Sequence, residues 1–115
     1  MMASGRAMVL GINLEEKVRQ IDEPWSPVEV ARVNDQVVRL AKVQGEYHWH
    51  RHAKEDELFY VLKGNIVVQL RDQPDIVLAE GEMAVVPKGV EHCPRSEGAS
   101  YIMMFEPQVL QSKGD

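Results

Sequence analysis

From Val37 onward the chain breaks into short apolar runs separated by turn signals, and this rhythm restricts the possible folds more than any other feature. Lys63-Gly64-Asn65, Arg71-Asp72-Gln73-Pro74-Asp75 and Glu80-Gly81-Glu82 punctuate the runs. Strands at this spacing build an antiparallel barrel or sandwich, so the predicted class is all-β. In Glu57 to Leu62 both faces are apolar, because Phe59 and Val61 alternate with Leu58, Tyr60 and Leu62. Such a strand is covered twice. One face lines the interior, and the other must meet an N-terminal helix or a second subunit, since a small barrel has few layers of its own. A homodimer is therefore expected.

Before Gln36 the organisation differs. Met1 to Ala7 is expected to be mobile, and Asn13-Leu14-Glu15-Glu16-Lys17-Val18-Arg19-Gln20-Ile21 reads as one short helix. Asn13 can cap it, acidic residues occupy its first turn, and Leu14, Val18 and Ile21 share one side. Pro24 and Pro27 close it off. With 115 residues, 44% of them hydrophobic and 27% charged, the chain suits one compact domain. The expected division is an N-terminal segment over 1–35 whose helix packs on the barrel, a barrel over 36–110 and a tail over 111–115.

A formal net charge of -5 opposes nucleic-acid binding, which needs a basic surface to displace counterions from phosphates. No run approaches the roughly 20 apolar residues of a spanning helix. Met1 to Leu10 lacks a long apolar core followed by a cleavage site. These features predict a cytoplasmic protein without membrane association. The lone Cys93 suits a reducing compartment and reads as a packed thiol on the face opposite His92.

The chemistry-bearing segment lies inside the strand pattern. In an extended strand alternate side chains share a face, so His50 and His52 point one way and Trp49 and Arg51 the other. The residues after His52 allow a turn, and Glu57 then opens a new strand with Phe59 and Val61 on its face, where it can meet the histidines. His92 follows a Pro87-Lys88-Gly89 turn. His50, His52, Glu57 and His92 thus form a ligand set of imidazoles and one carboxylate. Such donors suit one divalent transition metal ion, whether manganese, iron, cobalt, nickel, copper or zinc. A six-coordinate ion would keep two positions open, whereas a tetrahedral zinc could be satisfied and structural. A metal-free barrel would have to desolvate these groups against one another. His48 shares the His50 face and is placed at the rim or outside the ligand shell. Glu55 and Asp56 read as a solvated turn.

The same two segments resemble the paired motifs of the cupins. Gly45, His50, His52, Glu57 and Gly64 follow the first motif, and Gly81, Pro87, Gly89 and His92 the second. Two positions depart from the pattern. Gly45 stands one residue closer to His50, and Ser96 occupies a site where asparagine is frequent. The resemblance covers about half the chain and is strongest to small single-domain bacterial cupins labelled mannose-6-phosphate-isomerase-like. It implies a double-stranded β-helix, or jelly-roll barrel, with these four residues on a metal, a small-molecule ligand in the barrel and a paired subunit.

Function is less determined than fold. A metal-dependent enzyme of dioxygenase or isomerase type, acting on a small oxygen-rich or anionic metabolite, is favoured. Tyr47, Lys42 and Tyr101 are candidate proton carriers, and Met103 and Met104 a candidate apolar wall. Sugar-phosphate chemistry has little support, since Arg39, Lys42, Arg51, Lys88 and Arg95 are isolated and form no phosphate cradle. The alternative is a non-catalytic, metal-dependent binding protein for a small molecule.

Overall fold

The helix forms where its signals lie. In the computed structural model, which describes residues 8–115, α1 spans Leu14–Arg19, and Asn13 Oδ1 accepts the Glu16 N–H at 3.0 Å. The expectation for Met1 to Ala7 falls outside the described residues. Val18 of this short amphipathic element and Ile21 just beyond its end bury against Leu40, with Leu62, Tyr101 and Met103 alongside. The helix therefore covers part of the outer face that the doubly apolar strand required. No helix among the described residues is long and apolar enough to cross a membrane.

Seven strands follow: β1 (Val28–Val33), β2 (Gln36–Glu46), β3 (Glu57–Lys63), β4 (Asn65–Leu70), β5 (Ile76–Ala79), β6 (Met83–Val86) and β7 (His92–Pro107). The segment before Gln36 contributes a strand as well as its helix, because β1 pairs antiparallel with β2 through a turn at Asn34, whose φ is +57°. β1 is largely exposed, so its alternation carries little apolar signal.

The long β7 organises the rest. Its first residues pair with β4, as Leu70↔His92 and Val68↔Pro94, and its remainder lies between β2 and β3, as Leu40↔Met103 and Tyr60↔Met103. The strand order is β1-β2-β7-β3-β6, with the β4-β5 hairpin joined to the start of β7. The sheet does not close into a continuous cylinder; it folds over itself as a jelly roll. Between its walls sit Phe59, Val61, Ile66, Val68, Ile102 and Met104, all buried. Each such side chain contributes about 1.5–3 kcal/mol through loss of water contact, which fixes the register of β3 and β7.

Candidate metal centre

His50 and His52 do not lie on a regular strand, contrary to the alternation argument. β2 ends at Glu46, just after a register shift between Val43 and Gly45, where Gly45 adopts a φ of +79° that turns the chain from its ladder. Beyond it, His50 makes a single antiparallel bridge with His92, through His50 N–H to His92 O at 3.0 Å and His92 N–H to His50 O at 2.9 Å. This bridge does the work assigned to the strand. His50 and His52 still turn inward, while Trp49 and Arg51 remain exposed. Trp49 packs its ring under the Arg71 guanidinium, 4.2 Å from the centroid.

Glu57 and His92 are the first residues of β3 and β7 and are fully buried. With His50 and His52 they present ligand atoms that all lie within 4.8 Å of one another. His52 Nε2 stands 3.2 Å and His92 Nε2 3.5 Å from Glu57 Oε1. Neither nitrogen meets that oxygen along a hydrogen-bond direction, and both are buried without a partner. Orphaned polar atoms of this kind cost about 1–3 kcal/mol each. Their convergence on a shared point is the arrangement expected of ligands to one ion, so the donor set fits a divalent metal.

The electrostatics agree with that fit. Burial, reinforced by His92 and His52 against the His48 carbonyl, lowers the His50 pKa to about 4, leaving its ring neutral and its lone pair free at neutral pH. Burial alone would raise the Glu57 carboxyl, yet the rings of His52 and His92 and the neighbouring Glu106 outweigh it and hold Glu57 below the usual carboxylate range. Two imidazoles are fixed from behind: His50 Nδ1 donates to His48 O and His92 Nδ1 to Val90 O, each at 2.9 Å.

Glu106 was not among the sequence candidates, although its place in the alternation of Ile102, Met104 and Glu106 turns it inward. It is buried against Glu57 and receives Arg39 Nη1 at 2.6 Å. Burial and the Glu57 carboxylate push its pKa up to about 9, against the pull of Arg39. Arg39 also donates to Leu110 O at 2.9 Å and Gln108 O at 3.1 Å, tying the segment that follows β7 to the sheet.

A pocket opens above Glu57 and His50, with about 350 Å³ of empty space, part of it open to solvent. Its walls are mainly Trp25, Val43, Phe59, Ile102 and Met104, with Tyr47 and Ser112 as polar groups. Tyr47 stacks on Trp25 at 4.7 Å, and burial followed by the Glu57 charge raises its pKa, so it remains a phenol. The other proton-carrier candidates lie elsewhere. Lys42 Nζ donates to Asp22 O at 3.3 Å, and Tyr101 packs under the helix. Met104 lines the pocket as expected, but Met103 faces the helix, since adjacent strand residues point to opposite sides. His48 points away from the ligand cluster, its Nε2 donating to Lys113 O at 2.9 Å. Cys93 is a packed thiol, its pKa raised by burial and then by Glu46.

Comparison with known proteins agrees with this architecture. Residues 36–106 match the Cupin domain family. The chain is 38% identical over 84 residues to the uncharacterised protein YdbB of Bacillus subtilis (strain 168), covering 73% of this chain and 74% of that protein. A cupin-2 domain containing protein from Shewanella frigidimarina NCIMB 400 superposes with a TM-score of 0.81 and 45% identity, over 84% of this chain and 93% of that one. Protein NMB1881 from Neisseria meningitidis gives a TM-score of 0.79 and 36% identity, over 85% and 99% of the respective chains. On its fold, its motif residues and these matches, the chain belongs to the cupin family.

Proposed function

We propose that this cupin is a metal-dependent enzyme for a small oxygen-rich or anionic metabolite, with His50, His52, Glu57 and His92 holding one divalent transition metal ion. The observation that carries this reading is the pair of buried, partnerless Nε2 atoms of His52 and His92 converging on the Glu57 carboxylate. When bound, such an ion supplies Lewis-acid activation or, if redox-active, dioxygen chemistry.

The chain's own residues determine what can reach that site. Three neutral imidazoles and one carboxylate leave a dication with a net positive charge, which attracts an anionic or two-oxygen ligand. The remaining walls are apolar and contain no Lys or Arg, so they favour a ligand with a compact apolar body over a sugar phosphate. Tyr47, kept as a phenol, donates a hydrogen bond to a ligand oxygen in the pocket. Phe59, Ile102 and Met104 exclude water from the inner side, which strengthens each polar contact there.

A non-catalytic binding role draws support from one observation. Among the described pocket-lining residues, only Tyr47 and Ser112 offer an ionisable or hydroxyl group beyond the proposed ligands. Elemental analysis of protein purified without a histidine tag tests the metal assignment. About one transition metal per chain is expected, and His52→Ala is expected to lose it. A full equivalent retained by His52→Ala, or no binding by the wild type after reconstitution, rejects the proposed centre. Oxygen uptake with small carboxylates and diols then distinguishes dioxygenase chemistry from proton transfer, and tight binding without turnover selects the binding role.

A further inference from the structure

Of the three histidines in the cluster, His52 alone has no partner for its second ring nitrogen. His50 and His92 each tie Nδ1 to the carbonyl two residues earlier. The corresponding carbonyl for His52 is that of His50, which already accepts the His92 N–H in the bridge. His52 turns Nε2 toward Glu57, and its Nδ1 is left buried and unpartnered.

Asp115 straddles this histidine. Its N–H donates to Arg51 O at 3.1 Å, and its Oδ2 accepts the Ala53 N–H at 2.5 Å, so residues on both sides of His52 hold it. A ligand atom of His52 and carboxylate oxygens of Glu55 and Asp115 all lie within 4.8 Å of one another. Asp115 is the anchored carboxylate of the two, since no hydrogen bond to the Glu55 side chain is found among the described residues. We propose that Asp115 is a positioning residue for the metal centre: its carboxylate accepts the His52 Nδ1 proton, which fixes the ring and leaves Nε2 as the ligating nitrogen.

The chemistry favours this role. A neutral imidazole carries one N–H, and directing it at a carboxylate makes the opposite nitrogen the lone-pair donor and increases its basicity. The tail would then complete the third imidazole, after the two completed by local carbonyls.

This inference rests on the metal reading, and the test separates the two. Zinc affinity and stoichiometry are measured by competition with a chromophoric chelator for wild type, Asp115→Asn, Asp115→Ala and Glu55→Gln. Cobalt(II) absorption reports ligand geometry in parallel. Asp115→Asn keeps an acceptor for the Ala53 N–H but removes the carboxylate charge. The expected result is a 10–100-fold weaker zinc complex in both Asp115 variants, with shifted cobalt bands and an unchanged far-ultraviolet circular dichroism spectrum. Glu55→Gln is expected to stay within threefold of wild type. Wild-type affinity in Asp115→Asn, with loss only in Asp115→Ala, would reduce Asp115 to a strap and overturn the proposal. So would a loss confined to Glu55→Gln. Two zinc ions per wild-type chain, falling to one in Asp115→Asn, would overturn it in favour of a second ion. A wild type that binds no metal rejects the centre itself.

Discussion

Replacing Glu106 by glutamine is expected to remove a pH dependence from the stability of the metal-free protein. In the unfolded chain this carboxyl titrates near 4.5, whereas in the fold burial and the adjacent Glu57 carboxylate push it up to about 9. Between those values the folded chain holds a proton that the unfolded chain has lost. Stability therefore falls as pH rises, by about 1.4 kcal/mol per pH unit. His50 acts in the opposite sense lower in the range. Its pKa drops from 6.5 to about 4 on folding, so its contribution is present above 6.5 and is lost as the pH falls toward 4. Partial exposure of His50 makes its effect the smaller. Above pH 6.5 the Glu106 effect dominates, totalling about 3 kcal/mol by pH 9, and the buried Cys93 thiol adds to it in the same sense only close to pH 9. The glutamine amide can donate to Glu57 while its carbonyl accepts from Arg39, so Glu106→Gln preserves the contacts without titrating. Urea unfolding of chelator-treated protein from pH 6.5 to 9 measures the difference. A midpoint that falls throughout in wild type and stays flat in the variant up to about pH 8 is expected. A flat wild-type profile, or the same fall in both proteins, refutes a Glu106 kept protonated by burial beside the ionised Glu57.

Gly64→Ala is expected to destabilise the fold by about 2–4 kcal/mol in the same assay, because positive φ and overpacking act together. Gly64 has a φ of +82° and an added Cβ would collide with the Ser100 side chain, so a loss below about 0.5 kcal/mol would contradict this account of the β3–β4 corner. The expected homodimer is placed on the cross-strand row Val85, Leu58, Phe105 and Val38, which lies outside the cluster packed against α1. Val85 is 52% exposed, so Val85→Lys should leave the fold intact yet convert a dimer to monomer in light scattering. A wild-type mass of 13.1 kDa at tens of micromolar refutes the pairing.

The fold was legible where side-chain periodicity and turn chemistry act locally. Gly64 and Gly81 mark turns, Asn13 caps its helix, and the doubly apolar Glu57 to Leu62 segment is covered on both sides over part of its length. β1 was obscure because its partly exposed residues give no clear apolar alternation. At the site, the identities of His50, His52, Glu57 and His92 were legible, but the support of the first two was not. Alternation implied a strand, whereas one bridge to His92, the Gly89 N–H on His52 O and contacts from the tail hold them. Those ties join residues far apart in the chain, and no local pattern encodes them. Glu106 was missed for a related reason. Its inward direction follows from alternation along β7, but its significance depends on Arg39 and Glu57 from two other strands.

The candidate centre therefore has two halves that are held differently. Glu57 and His92 begin strands whose registers are set by the apolar core, and a one-residue slip would turn Glu57 outward and replace it with Leu58. The hydrophobic burial that stabilises β3 also orients the only carboxylate in the proposed ligand set. His50 and His52 have no such ladder and rely on the His92 bridge, the His48 carbonyl, the Gly89 N–H on His52 O and the tail. Loosening the tail should then disturb the two loop ligands first, while Glu57 and His92 stay in place. A centre built this way can be preorganised by its strands and still be adjusted through residues that never touch the ion.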